Sequence, residues 1–134
     1  MLIFMPTKSS KPRKQRKALY NAPLHMRQKL VGAHLSKELR AQTGKRSLPV
    51  RKGDEIKIMR GSNAGKTGKV AEVDLKKTKI FVEGIVRKTA KGNEVKIGLE
   101  PSNLLITKAD FSDKMRQRIL EKSKTKGIKV EMKK

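Results

Sequence analysis

The chain has no cysteine and no tryptophan, one tyrosine, three phenylalanines, and only 12 acidic residues against 35 Lys and Arg. Without cysteine there is no disulfide scaffold, no thiolate zinc site and no thiol nucleophile, which fits a reducing compartment. Aromatics at 3% reduce to Phe4, Tyr20, Phe81 and Phe111, too few for the multi-base stacking platform of an RRM or a single-strand binder. Apolar residues at 35% fall below the ~45–50% of an ordinary globular domain. The 134 residues therefore hold too little hydrocarbon to pack throughout, and part of the chain is expected to order only on a partner. Long hydrophobic runs are also missing. Met1-Leu2-Ile3-Phe4-Met5 stops at Pro6, has no basic region before it, and is too short for a signal sequence core or a membrane span. These absences predict a soluble intracellular protein with one small domain and tails, and with no membrane insertion.

What is present is positive charge, +23 in total. Residues 1–49 carry 12 Lys/Arg and one acid, Glu38; residues 50–110 carry 14 against 8, and residues 111–134 carry 9 against 3. The mixed middle looks like a folded surface, whereas the nearly acid-free first third repels itself and calls for a polyanion. Lys8, Lys11, Arg13, Lys14, Arg16 and Lys17 place six cations in ten residues, the composition of an arm that displaces counterions from nucleic acid. A solvated tail is the plainer alternative for this segment alone.

Residues 18–35 read as weakly helical, with Asn21 as a candidate N-cap and Pro23 in the first turn. Ser36 followed by Lys37–Gln42 and then Gly44 predicts a two-turn helix with both caps. Ser47-Leu48-Pro49 reads as an extended linker, because Pro49 pushes Leu48 out of the α region. From Val50 the period becomes alternating, with strands expected at 55–59, 69–73, 78–82, 84–88, 94–98 and 103–106. Leu75-Lys76-Lys77 and Ala90-Lys91-Gly92-Asn93 mark hairpin loops. Connections this short predict antiparallel pairing in a small, partly closed barrel. Phe81 is read as core, which would put Ile80 and Val82 on the opposite face, and alternation in this strand alone does not fix which set points inward. Beyond Thr107, Ser112 or Asp110 is a candidate N-cap, and Phe111, Met115 and Ile119 form a helical stripe. Lys122–Lys134 reads as a flexible basic tail.

Gly61-Ser62-Asn63-Ala64-Gly65-Lys66-Thr67 superficially resembles a nucleotide-binding P-loop. Only three residues separate its glycines where a Walker A loop needs four, and a β pattern follows instead of a helix, so NTP hydrolysis is rejected. Gly61, Gly65 and Gly68 instead serve left-handed or close-approach backbone positions, while Arg60, Lys66 and Lys69 bring cations, and the loop its backbone donors, toward a phosphate ribbon. His25 and His34 lack further ligands for a metal. Asp54 and Glu55 are adjacent and alternate faces, so they do not converge on a reacting atom, and Glu83 has no catalytic companion. No enzyme, cofactor, metal or small-molecule substrate is expected.

Gly53–Gly61, Gly65–Val70 and Val73 resemble a KOW motif, the strand, glycine loop and strand of SH3-like barrels. Its flanks Leu35–Arg40, Arg46–Asp54, Val82-Glu83-Gly84 and Pro101-Ser102-Asn103 resemble the archaeal and eukaryotic branch of the ribosomal protein L-twenty-four family, whose eukaryotic members are called L-twenty-six. The similarity runs from about residue 8 to about residue 122. The resemblance implies a structural component of the large ribosomal subunit in the cytoplasm. Such a protein binds the 5′ domain of large-subunit rRNA, acts early in assembly and lies near the peptide exit tunnel, with neighbouring ribosomal proteins and tunnel factors as partners. The division expected is a basic extension with short helices (1–49), a mainly β SH3-like barrel (50–108), a helix (109–122) and a basic tail (123–134). Candidate rRNA contacts are Lys8, Lys11, Arg13, Lys14, Arg16, Lys17, Arg27, Lys45, Arg46, Arg51, Arg60, Lys66, Lys69, Arg87 and Lys88. Rival readings are a transcription factor using KOW for protein contacts, whose additional α+β domain residues 1–49 are too short and too basic to supply, and a generic anionic-membrane binder, for which the amphipathic stretch is short.

Overall fold

The computed structural model describes residues 8–121; the expected basic tail and the Met1–Phe4 start lie outside the described residues. In chain order the elements are α1 (Pro12–Tyr20), α2 (Leu24–Leu30), β1 (Gly32–Leu35), α3 (Lys37–Thr43), β2 (Ser47–Pro49), β3 (Glu55–Ile58), β4 (Thr67–Asp74), β5 (Lys79–Val82), β6 (Val86–Lys88), β7 (Glu94–Lys96), a 3₁₀ turn (Pro101–Asn103) and β8 (Leu104–Lys108). Residues 114–121 are helical. Six strands form one sheet in the order β2-β1-β8-β3-β4-β5, and β6 and β7 pair as a separate ribbon. The molecule is thus strand-rich with short helices.

Pairing is antiparallel throughout except at one seam. The strands expected from residue 55 onward pair antiparallel with one another as expected, and the exception is β1, a strand outside those expected, which runs parallel to β8 with His34 opposite Leu105 and Leu35 opposite Ile106. A parallel partner needs a long crossover, and here the chain from Leu35 to Leu104 supplies it. No pairing joins β2 to β5, so the sheet does not close into a barrel. The register of β4 against β5 shifts between Val70 and Glu72, and such an irregularity bends and twists the strand, letting β4 serve both β3 and β5.

The first third contributes more to this core than its charge suggests. Val31, Ala33, Leu35, Leu39, Leu48 and Val50 are buried together with Ile56, Ile58, Val70, Ile80, Val82, Leu104 and Ile106. The single weak helix expected over 18–35 is two helices followed by β1. Asn21 caps the C-terminus of α1, and Pro23 occupies the N-cap position of α2. Ser47-Leu48-Pro49 is a strand paired with β1, not a linker, and its Leu48 is buried. Ser36 and Gly44 cap α3 as expected. The Ser36 side chain accepts from the Leu39 amide at 3.3 Å, and Gly44 at φ 65° returns its amide to the Arg40 carbonyl at 2.9 Å.

Two further readings are corrected, the second in part. In β5 the core face is Ile80 and Val82, whereas Phe81 is only half-buried, because pairing with β4 directs the even-numbered pair inward. At the C-terminal end the stripe holds in part: Phe111, which precedes the helix, and Ile119 pack against the core, whereas Met115 is 59% exposed. Asp113 provides the N-cap by accepting from the Met115 amide at 2.9 Å. Arg116 also holds the helix down. It is 2% exposed and grips the buried Asp54 carboxylate through both terminal nitrogens, each at 2.7 Å. Asp54, read from the sequence only as one of two adjacent carboxylates on alternate faces, is therefore the counter-charge of a buried ion pair.

Candidate nucleic-acid interface

In α1, Pro12 stands in the first turn, where its missing amide costs nothing, and Lys14 and Gln15 amides close on the Lys11 carbonyl at 3.0 and 3.1 Å. The expected basic arm is therefore helical over Pro12–Tyr20, a form short isolated peptides hold only marginally. None of its residues is buried and it has no acid in its first turn. Arg13 and Lys14 sit at the positive end of the helix dipole, where cations are unfavourable, and only Lys17 is at the favourable end. A helix that hides nothing and concentrates like charge is relieved by an anionic surface.

The glycine loop joins β3 to β4. Gly61 and Gly65 take φ of 95° and 85°, the left-handed region that side chains disfavour, with no atom near the position of a Cβ. Gly68 serves a different need: a Cβ there would meet Val82 Cγ1 at 2.7 Å. Both roles expected of these glycines are present. Three of the loop's amides are committed, since Ala64 donates to Gly61, Gly65 to Ile58 and Lys66 to Asn63, at 2.8–3.3 Å. These three amides are therefore not free to donate to an outside acceptor. Arg60, Lys66 and Lys69 are exposed, with Lys66 Nζ 2.9 Å from Asn63 Oδ1. A strand follows the loop, so there is no helix N-terminus to hold a nucleotide phosphate.

The other candidate cations divide between free surface and structural work. Lys8, Lys11, Arg46, Arg87 and Lys88 are exposed, and Lys45 is half-buried. Arg87 and Lys88 lie on the β6–β7 ribbon, every residue of which faces solvent. Arg46 shares a groove with Lys29 and His34 beside the edge strand β2. Arg27 is engaged elsewhere: its guanidinium donates to the carbonyls of Ala22, Lys76 and Tyr20 at 2.5–2.8 Å, tying α2 to the β4–β5 turn. Arg51 pairs with Asp113, and its amide donates to Asp54 Oδ2 at 2.9 Å. His25 and His34 lie on separate elements, α2 and β1.

Sequence reading missed Arg116, which looks like one more surface cation until the fold buries it. The only available signal was its place between Phe111 and Ile119 in a stretch read as amphipathic. Asp110, near the same latch, is held below the ordinary carboxylate value of 3.8, chiefly because it accepts the Ser112 amide and then the Ser112 side chain. Asp110 Oδ1 lies 2.9 Å from that amide.

Among the described residues no helix is long and apolar enough to cross a membrane. The model of the family described as ribosomal proteins L26 eukaryotic, L24P archaeal matches residues 9–123. The large ribosomal subunit protein uL24 of Korarchaeum cryptofilum (strain OPF8) is 50% identical over 127 residues, covering 95% of each chain. The match spans the basic helix, the glycine loop and the Arg116 latch alike, and the chain belongs to the L26/L24P family of ribosomal proteins.

Proposed function

We propose that this chain is a structural protein of the large ribosomal subunit in the cytoplasm and that it binds large-subunit rRNA, within the 5′ domain, through phosphate contacts. The observation that carries the binding mode is α1: no buried side chain, four exposed cations at Arg13, Lys14, Arg16 and Lys17, and no acid. The exposed cations of the β3–β4 loop and of the β6–β7 ribbon extend the same chemistry. Folded RNA is then recognised by shape, with Arg and Lys on phosphates, because the chain offers almost no exposed aromatic surface. In this reading β3, β4, β5 and β8 form an SH3-like unit carrying the KOW loop, and residues 8–30 form the extension that enters between RNA helices. Early action in subunit assembly, a position near the peptide exit tunnel, and contacts with neighbouring ribosomal proteins and tunnel factors belong to the same proposal and rest on family membership.

The test is equilibrium binding of the purified chain to a transcript of the 5′ portion of large-subunit rRNA with excess tRNA as competitor. Binding that survives the competitor supports a structured rRNA target. Eight to twelve phosphate contacts, an assumed range, would give a slope of log K against log[salt] of about −6 to −10. Binding abolished by tRNA would mean that the charge acts without shape recognition, and would overturn the proposal.

A further inference from the structure

Tyr20 is the most exposed of the large apolar side chains among the described residues, at 73%. Phe81 and Phe111 are half-buried, and Phe111 packs against the core. Tyr20 ends α1, next to Leu19, itself 45% exposed. The two leucines Leu19 and Leu30, with Tyr20, line a groove whose other wall is the β4–β5 turn, including Lys76, Lys77 and Thr78. A single exposed ring is ordinary by itself; this one adjoins an exposed leucine at a groove lined by cations.

The position of that ring is built and not incidental. One guanidinium, Arg27, accepts no alternative rotamer without losing three carbonyls, those of Tyr20, Ala22 and Lys76, so the backbone of Tyr20 is bound to the turn opposite. The turn is itself organised. Asp74 Oδ1 accepts the Lys76 and Lys77 amides at 2.8 and 3.1 Å, and Thr78 closes it at φ 54°, the single non-glycine residue with positive φ among those described. This conformation is disfavoured for a β-branched residue, and it keeps Lys76 and Lys77 at the groove. On α1, Arg16 and Lys17 precede Tyr20 by four and three residues, which places them on its side of the helix. Asp74 is the only carboxylate in the turn, and Arg27, Lys76, Lys77 and Lys79 at the groove, with Arg16 and Lys17 on α1, outnumber it, so the site is net cationic around one flat ring.

We propose that Tyr20 is a single-base stacking site, its ring covered by one unpaired nucleobase of the RNA while Arg16, Lys17, Lys76 and Lys77 hold the flanking phosphates. The inference rests on the RNA-binding reading above and adds a base contact to a surface otherwise dominated by phosphate. Stacking is tolerant of base identity and suits a chain with one ring to offer. Flanking cations set the strand's path, and the ring selects an extruded base over a paired one.

Because the chain holds no tryptophan, a Tyr20→Trp variant places the sole indole at the site. Its emission, excited beyond the RNA absorption band, is read during titration with the 5′ rRNA transcript, alongside the affinities of Tyr20→Phe and Tyr20→Leu. The expected result is saturable quenching in Tyr20→Trp, near wild-type binding for Tyr20→Phe, and a loss of about 5- to 100-fold for Tyr20→Leu with the salt slope unchanged. Circular dichroism melts of each variant separate a binding loss from misfolding, which an exposed position should not cause. If wild-type protein binds the transcript over tRNA but the indole stays unquenched and Tyr20→Leu binds within about twofold, well below the stacking increment, the stacking site is refuted while RNA binding stands. If wild-type protein fails against tRNA, the RNA reading falls and the stacking site falls with it.

Discussion

Replacing Asp54 with asparagine removes one charge from a site where the structure leaves no substitute. The carboxylate accepts from Arg116 Nη1 and Nη2 at 2.7 Å each, from the Arg51 amide at 2.9 Å and from the Asp110 amide at 3.4 Å. An asparagine offers one oxygen and one NH₂, so whichever way it is turned, its NH₂ faces donors. The guanidinium left behind is 2% exposed, keeps the carbonyls of Asp110 and Pro49, the Phe111 ring and at most the one asparagine oxygen, loses its counter-charge, and already has an unpartnered Nε. An uncompensated buried charge of this kind costs about 3–5 kcal/mol, a large part of the ~5–15 kcal/mol that stabilises a domain. Arg116→Met should fall at the lower end of that range, near about 3 kcal/mol, because the two amides still satisfy the carboxylate. The double variant removes both charges and should recover at least about 2 kcal/mol relative to the sum of the singles. Urea unfolding followed by circular dichroism gives the three values. Faster proteolysis within residues 114–121 in either single variant would show that the helix has come off the sheet. An Asp54→Asn variant within about 1 kcal/mol of wild type, or singles that simply add, would refute the latch.

Gly65→Val should lower stability by about 1–3 kcal/mol through backbone strain alone, since φ is 85° and no atom crowds the Cβ position; wild-type stability in a thermal melt would contradict it. Changing Arg13, Lys14, Arg16 and Lys17 together to alanine should flatten the salt slope of rRNA binding by about 3 and leave the melting transition in place, because none of the four is buried; an unaltered slope would remove α1 from the interface. Asp110, whose carboxyl is depressed in the folded state, contributes stability above the unfolded value of 3.8 and loses it as pH falls through the lower folded value. The acid limb of the stability curve should therefore be shallower in Asp110→Asn, as measured by melts across that range, and a superimposable limb would show that the Ser112 contacts carry no linkage.

The sequence by itself determined whatever depends on neighbours along the chain. Alternation located β3, β4, β5 and β8 to within a residue or two, Ser36 and Gly44 marked α3, and the spacing of Gly61 and Gly65 separated a strand-to-strand loop from a nucleotide cradle. Charge located the basic helix as a surface, though not as a helix. Only the tertiary structure decided what depends on distant partners. Gly32–Leu35 is too short a run to reveal its period and became a strand because β8 offered a parallel edge and β2 an antiparallel one. The face of β5 was set by pairing with β4, which turned Phe81 outward from the core position expected of it. Arg27 and Arg116 read as ordinary cations, and became staples because the carbonyls and the carboxylate they grip arrive from as far as 49 and 62 residues away. A guanidinium has the same composition in solvent and in a core; its role follows from which acceptors the folded chain brings within about 3 Å.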